Sequence, residues 1–169
     1  MNLLEDNQRF IDKLDKDNNL KQIRDDLVVN GQHPSILVIT CSDSRVVPEI
    51  IFDKFLGELF VIRTAGNVIN SGELATIEYA IEHLKVKEVI VLGHTHCGAI
   101  HASIHNEASK YMDPILKRIK ANIGNITDEV EASKINALKE VDYIKNKFPN
   151  YKWKIDYLIY DIKTSRVSK

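Results

Sequence analysis

The sequence predicts an α/β fold in which a mainly parallel central β-sheet is flanked by helices. Two observations lead to this prediction: short apolar runs rich in β-branched residues recur along the chain, and amphipathic helical patterns separate them. Strands that alternate with helices in this way form parallel sheets. The predicted strands are residues 36–40, 59–63, 88–92 and 155–160.

The predicted helices begin and end at residues that commonly cap or break helices. A helical pattern covers residues 2–29, so residues 1–30 are expected to form an N-terminal helical arm that ends before Gly31. A short helix should start at Pro48 and run to Phe55. The remaining predicted helices are 72–84 with Ser71 as its N-cap, one after Gly98, one from Asp113, and 127–147.

Composition restricts the class of protein. The 169 residues are expected to form one domain, residues 1–169, with 44% hydrophobic and 28% charged residues. A formal net charge of −1 without a basic stretch argues against a nucleic-acid partner. No apolar run approaches the ~20 residues of a membrane span. The N-terminus lacks the apolar core of a signal peptide, and two cysteines make no disulfide framework. We therefore expect a cytoplasmic protein.

The two cysteines give the strongest indication of chemistry. Cys41 opens the segment 41–45 (CSDSR), and Cys97 closes the segment 94–97 (HTHC), which begins with His94. Each segment directly follows a predicted strand, and parallel strands end at the same edge of a sheet. Cysteine, histidine and cysteine with an open fourth position are typical of catalytic zinc. A core cysteine and a loop histidine would explain each residue singly, but not their joint placement.

Asp43 and Arg45 lie in the same predicted turn as Cys41. A turn aspartate and a surface arginine are the ordinary interpretation. The functional interpretation is a charge-paired dyad in which Arg45 holds Asp43 ionised through a bidentate contact. Asp43 would then accept a proton from a zinc-bound group, or it would swing onto the metal and close the fourth position.

The charges of the predicted ligands indicate how activity depends on pH. Two thiolates cancel the charge of a zinc ion, so the neutral site acidifies its bound water less than three imidazoles would. Activity is therefore expected to rise towards alkaline pH.

Three motifs together resemble the β-class carbonic anhydrases. They are the segments 41–45 (CSDSR), 63–67 (RTAGN) and 93–98 (GHTHCG), and weaker matches extend over nearly the whole chain. The resemblance implies reversible hydration of carbon dioxide to bicarbonate and a proton by zinc-bound hydroxide. It also implies a homodimer or a dimer of dimers with the active site at the subunit boundary.

The resemblance assigns roles to particular residues. It implies one zinc ion per chain on Cys41, His94 and Cys97, with Asp43 and Arg45 as the catalytic dyad. Carbon dioxide and bicarbonate would be the small-molecule partners.

Three further positions resemble substrate-binding residues of the plant-type branch of that family, and a fourth matches another substrate-binding position of the family. Gln32 matches a glutamine that hydrogen-bonds the substrate, and Phe60 and Tyr79 match aromatic residues that line the pocket. The backbone N–H of Gly98 matches a further donor to a substrate oxygen. The alternatives are a polar turn residue for Gln32 and core positions for the two aromatic residues.

Other functions stay open from the sequence. A related zinc enzyme would hydrolyse carbon disulfide or carbonyl sulfide, and a zinc-stabilised scaffold would catalyse nothing. His96, His101 and His105 are candidates for carrying a proton to solvent because they follow His94 closely. Cys97, His101 and His105 also recur at four-residue steps, as a second metal site on a helix would, although solvent-facing histidines explain the same spacing.

Overall fold

The computed structural model describes residues 2–107 and 109–169. It divides into two compact units, one up to His33 and one from Pro34 to Lys169. The expected organisation as a single domain, residues 1–169, stays a prediction. No helix in the described part of the chain is both long enough and apolar enough to span a membrane.

The N-terminal unit consists of two helices, α1 (Leu3–Lys16) and α2 (Asn18–Asn30), where the sequence predicted one. Asp17 separates them because its backbone is extended and its carboxylate accepts hydrogen bonds from the N–H groups of Asn19 and Leu20. An aspartate inside a helical pattern competes for backbone donors in this way and starts a new helix. The predicted helical arm is confirmed, but the prediction of one continuous helix is wrong, because the arm breaks at Asp17.

The C-terminal unit is built on one sheet. Its elements in chain order are β1 (Ile36–Cys41), α3 (Pro48–Ile51), β2 (Leu59–Thr64), a 3-10 turn (Ala65–Asn67), α4 (Ser71–Glu82), β3 (Glu88–His94), α5 (Gly98–Ile104), α6 (Asp113–Ile123), α7 (Glu129–Lys147), β4 (Lys154–Asp161) and β5 (Arg166–Ser168). Within residues 34–107 and 109–169 the sheet has five strands in the order β2-β1-β3-β4-β5, and β1 to β4 are parallel. This confirms the predicted α/β fold with a mainly parallel sheet.

Several element boundaries differ from the predictions for local reasons. Helix α4 is capped by Asn70 rather than Ser71, because Asn70 and Glu73 form a reciprocal capping box. Helix α7 is capped by Asp128 rather than Thr127. Helix α3 ends at Ile51 instead of Phe55, and Asp53 then takes a left-handed φ of 50°.

The sheet carries an apolar core on each face because successive side chains of a strand point to opposite sides. Leu37 and Ile39 of β1 belong to the core that includes residues of α4 and α7. Val38 belongs to the core on the other face, together with Val46 and Leu92. Both faces of β1 are thus buried, which explains its continuous apolar sequence.

The register of the central strands decides where the candidate site lies. Cys41 pairs with Thr64 at the end of β2, and Thr40 pairs with Leu92 of β3. Two residues after Leu92, β3 ends at His94. The strand ends that carry Cys41 and His94 are therefore neighbours at one edge of the sheet.

Candidate metal centre

The structure brings the three predicted metal ligands together. Cys41 is the last residue of β1, His94 is the last residue of β3, and Cys97 directly precedes α5. One ligand atom from each lies within 4.8 Å of the others, and all three residues are buried. This cluster is therefore close enough for a single small cation to contact all three ligand atoms after minor side-chain adjustment.

The turn between His94 and Cys97 is held in an uncommon conformation. His96 has a left-handed φ of 55°, which few non-glycine residues adopt. The neighbouring Thr95 is fixed on both sides, since its N–H donates to the carbonyl of Tyr160 and its hydroxyl accepts from the N–H of Ile162. The turn thus brings Cys97 close to His94, which lies three residues earlier in the chain.

The hydrogen bonds of His94 leave one ring nitrogen free for a metal. Its Nδ1 lies 2.9 Å from the carbonyl oxygen of Thr95, which can only accept, so Nδ1 carries the proton. Its Nε2 is buried and has no hydrogen-bond partner among the described residues. Burying such an acceptor is costly unless something binds it. An imidazole nitrogen and two sulfur atoms form a ligand set that suits zinc.

The two sulfur atoms influence each other's protonation. The Cys97 thiol is the main group that lowers the pKa of Cys41 to about 4, aided by the backbone N–H groups of Gly66 and Asp43. The hydrogen bond to Cys41, together with burial, raises the pKa of Cys97. One sulfur is thus stabilised as a thiolate at the expense of the other, and a nearby cation is what allows both to ionise.

The backbone of Gly66 hydrogen-bonds to the Cys41 sulfur. The Gly66 N–H donates to the Cys41 sulfur at 3.3 Å, and the Gly66 carbonyl accepts from Asn136 Nδ2 at 2.9 Å. Gly66 has φ of 66°, and a Cβ there would lie 2.8 Å from Ile119 Cδ1 and 3.2 Å from Ala99 Cβ. The position therefore requires glycine for its backbone conformation as well as for its lack of a side chain.

Replacing Gly66 with alanine is expected to destabilise the protein by roughly 1–3 kcal/mol, because the new methyl group overpacks against Ile119 in a left-handed conformation. Urea unfolding measures the loss. Gly72→Ala is the matched control, since a Cβ at this helical position meets nothing within 4 Å and alanine favours the helix. Equal stabilities of the two variants would contradict the expected role of Gly66.

Asp43 and Arg45 form the predicted charge pair. Arg45 Nε lies 2.9 Å from Asp43 Oδ1 and Arg45 Nη2 lies 2.7 Å from Oδ2, so the contact is bidentate. The Arg45 guanidinium, helped by the Arg45 N–H, holds the pKa of Asp43 well below its usual range. Both carboxylate oxygens are engaged by Arg45, which favours an Asp43 that stays beside the metal site over one that swings onto it.

Arg63 is a residue of this site to which the sequence pattern assigned no role. Its Nη2 donates to the carbonyl of Asp43 at 2.7 Å, and its Nε donates to the carbonyl of Cys41 at 3.3 Å. Arg45 Nη2 similarly reaches the carbonyl of His96 at 3.2 Å. Two arginines therefore tie the turn after β1 to β2 and to the turn after β3. The signals in the sequence were that Arg63 ends a predicted strand and opens the motif 63–67.

Of the four expected substrate-binding residues, the structure places one beside the ligands. Gly98 follows Cys97 as the first residue of α5, where a backbone N–H has no acceptor within its own helix. Phe60 pairs with Leu37, four positions before the Cys41–Thr64 pair, so it lies about 13 Å along the strand from that end.

The other aromatic residue, Tyr79, lies next to Phe60 and not at the metal ligands. The two ring centroids are 6.1 Å apart, and Tyr79 is 45% exposed. Gln32 belongs to the N-terminal unit and is exposed. The substrate-binding roles of Gln32, Phe60 and Tyr79 stay predictions.

A comparison with known families shows which family the chain belongs to. A profile described as carbonic anhydrase matches residues 36–150, which include the three candidate ligands, Asp43 and Arg45. The matched segment is more than half of the chain. The chain belongs to the carbonic anhydrase family.

Curated carbonic anhydrases resemble the chain over different lengths. The Synechococcus elongatus protein is 57% identical over 76 residues, covering 41% of this chain and 28% of that protein. The Mycolicibacterium smegmatis protein is 39% identical over 122 residues, covering 64% and 59%. The Helicobacter pylori protein is 34% identical over 168 residues, covering 80% and 76%. The matches to the first two thus span less than two thirds of those relatives.

Solved structures of β-carbonic anhydrases share the fold. A β-carbonic anhydrase of Aspergillus fumigatus matches with a TM-score of 0.79 at 27% identity, covering 98% of this chain and 88% of that one. A tetrameric β-carbonic anhydrase of Sordaria macrospora matches with a TM-score of 0.76 at 26% identity, covering 98% and 93%. The family members that this chain resembles in structure are therefore of the β class, while the plant-type branch stays a prediction.

Proposed function

We propose that this chain is a zinc-dependent carbonic anhydrase that reversibly hydrates carbon dioxide to bicarbonate and a proton. Its membership of the family supports the reaction. The observation that carries the proposal is that Cys41, His94 and Cys97 converge, while His94 Nε2 has no hydrogen-bond partner within residues 2–107 and 109–169. Three protein ligands leave a tetrahedral ion one open position, as catalysis requires.

In this proposal Cys41, His94 and Cys97 hold one zinc ion per chain. Zinc bound there would supply a Lewis acid that makes water a nucleophile. The carbonyl of Thr95 fixes the His94 ring in the tautomer that offers Nε2. The Gly66 N–H stabilises negative charge on the Cys41 sulfur. The protein therefore orients its ligands before the ion arrives.

Asp43 and Arg45 act together as the catalytic dyad. Arg45 keeps Asp43 ionised, so the carboxylate accepts a hydrogen bond and does not donate one. Because Arg45 and Arg63 also bind the carbonyls of three residues in the surrounding turns, the carboxylate is fixed in direction. A positioned acceptor of this kind selects one orientation of the nucleophile.

Substrate binding would combine groups from this chain and from a second copy. The Gly98 N–H is free to donate to a substrate oxygen that gains charge. Phe60 lies about 13 Å along the strand from the metal ligands, and Tyr79 of α4 packs beside Phe60. We therefore propose that these two residues line the pocket of a neighbouring subunit. We propose a homodimer or a dimer of dimers, with Gln32 as a further substrate ligand. The Sordaria macrospora relative is tetrameric.

A cytoplasmic location and the absence of nucleic-acid and membrane partners stay predictions.

The function is tested by zinc content and stopped-flow carbon dioxide hydration of the purified protein and of Asp43→Asn. The wild type is expected to hold one zinc per chain and to hydrate faster as pH rises from about 6 to 9. Asp43→Asn should keep its zinc, because Asp43 is not a ligand, and should lose roughly 100-fold in rate because the carboxylate is gone.

The matched control is Asp53→Asn, an exposed carboxylate on the loop after α3. It should leave both zinc content and rate unchanged. Carbon disulfide is assayed in parallel, since the same centre would suit a hydrolase of that linear molecule. Wild-type protein with full zinc and no hydration would refute the proposed enzyme, and a rate that is flat with pH would contradict the expected acidity of the centre.

A further inference from the structure

A second cluster of metal-ligating side chains lies apart from the cysteines. It consists of His101 and His105 at the end of α5 and Glu129 at the start of α7, and we call it the histidine cluster. One ligand atom from each residue lies within 4.8 Å of the others. None of these residues holds the proposed catalytic zinc.

The last turn of α5 places the two imidazoles on one face, since His105, the residue after α5, donates its N–H to the carbonyl of His101. His101 and His105 are four residues apart, so their side chains lie one above the other. Their ring centroids are 4.3 Å apart with an interplanar angle of 51°. Two histidines at this spacing are an arrangement by which a helix offers two nitrogen ligands to one cation.

A carboxylate from another helix completes the set. Glu129 Oε1 lies 2.7 Å from His101 Nδ1, and Glu107 Oε1 lies 3.8 Å from His101 Nε2. Two ligands on a tetrahedral zinc with bonds of about 2.0–2.1 Å are about 3.3 Å apart. His101 and Glu129 would therefore separate by less than about 1 Å to admit the ion.

The backbones that carry these side chains are fixed, while the side chains stay accessible. In α5, Ile100, Ala102 and Ser103 are buried, and the Ser103 hydroxyl donates to the carbonyl of Leu116. At the start of α7, Asp128 caps the helix and the Ser133 hydroxyl donates to the carbonyl of Glu129. The exposed fractions are 47% for the His101 side chain and 35% for that of Glu129. The site is thus preorganised and open to ions from solvent.

We propose that His101, His105 and Glu129 form a second site for a divalent cation of the zinc class, distinct from the cysteine site. Two imidazole nitrogens and one carboxylate oxygen suit Zn²⁺, and the same combination occurs in zinc enzymes. The bound ion would cross-link α5 to α7. It would bind more weakly than at the cysteine site, because the ligands are exposed and carry less negative charge.

An ion pair between His101 and Glu129 is the simpler explanation of the cluster, but it leaves His105 unexplained. Such a pair needs no second imidazole four residues away, and it does not need the His105 ring to pack against the His101 ring. A metal site uses all three residues. The two explanations differ in whether His105 matters to ion binding, so His105 is the informative position.

The test is equilibrium dialysis of the protein already loaded with one zinc per chain against micromolar Zn²⁺, with the metal content of the protein as readout. The wild type is expected to take up a second zinc. His105→Asn, His101→Asn and Glu129→Gln should each weaken zinc binding at the second site by at least roughly 10–100-fold. Loss of a residue that only hydrogen-bonds to a metal ligand already costs that much, and these three residues would be ligands themselves. Each should retain its first zinc, which separates this result from a failure of the cysteine site.

His83→Asn is the matched control, since His83 is an exposed histidine of the same unit outside the cluster. It should take up the second zinc as the wild type does. Added zinc should also raise the thermal midpoint of the wild type and of His83→Asn, but not that of His105→Asn, because a bound ion stabilises the folded state. A wild type that stays at one zinc, or a His105→Asn variant that binds the second as tightly, would overturn the proposal.

Discussion

Cys41→Ser is expected to lose the catalytic zinc and to reduce carbon dioxide hydration to background. Serine removes a thiolate whose pKa the site lowers to about 4 and replaces it with a hydroxyl that stays protonated and binds zinc poorly. The remaining ligands, His94 and Cys97, leave the site with half of its tetrahedral set. The missing negative charge also leaves the zinc ion less completely neutralised.

Zinc content after dialysis and stopped-flow hydration measure this loss. Ser42→Ala is the matched control, because Ser42 is adjacent but exposed; it should keep both zinc and activity. The thermal midpoint gives a readout that does not depend on activity: saturating zinc stabilises a protein by about 4 kcal/mol at 1,000 times its Kd. The midpoint of Cys41→Ser should therefore not rise at zinc concentrations that saturate the cysteine site. Zinc lost without a loss of hydration would refute the role of this centre.

The fold and the convergence of the candidate metal ligands could be predicted from the sequence because each depends on local patterns with a fixed geometry. Buried parallel strands have to be apolar on both faces, and their ends meet at one edge of the sheet. The positions of Cys41 and His94 directly after such strands are therefore enough to place the two residues side by side. The charge pair of Asp43 and Arg45 was predictable for the same reason, since both lie in one turn.

Other features depend on contacts between distant segments and could not be predicted. Strand β5 has three residues, too few for a periodic pattern, and pairs with β4 only because a turn returns it there. Arg63 had no assigned role because its acceptors are the backbone carbonyls of Cys41 and Asp43, and every residue has a carbonyl. Glu140 is fully buried, although a charge in an amphipathic helix is usually solvent-facing. Its partner, Arg118, lies on another helix.

The buried Glu140 carboxylate depends on hydrogen bonds from neighbouring side chains, so we expect the loss of its partner Arg118 to have a large effect on stability. Arg118 Nε and Nη2 contact the two oxygens of Glu140 at 2.9 and 3.1 Å. Asn122 Nδ2 donates to Glu140 Oε1 at 2.8 Å and to Asn136 Oδ1 at 2.9 Å. Because Asn136 donates in turn to the carbonyl of Gly66, the network also supports the turn beneath Cys41.

Arg118→Met is expected to destabilise the protein by about 3–5 kcal/mol, because it leaves the Glu140 carboxylate buried without a counter-charge. The double variant Arg118→Met, Glu140→Leu should recover most of that loss, since apolar residues of similar size often replace a buried ion pair at little cost. In the double variant one hydrogen of Asn122 Nδ2 keeps Asn136 as its acceptor, while the other loses Glu140. Asn122 is only half-buried, so water can replace that acceptor.

Urea unfolding with zinc held in constant excess measures these free energies, so that metal binding contributes equally to every variant. Lys117→Ala is the matched control on the same helix: its ion pair with Asp113 spans 2.9 Å, but the lysine side chain is 79% exposed, and such pairs contribute about 0–1 kcal/mol. A loss for Arg118→Met no larger than that for Lys117→Ala would show that Glu140 does not need its counter-charge. A double variant less stable than Arg118→Met would show instead that the carboxylate stabilises the fold through Asn122 without Arg118.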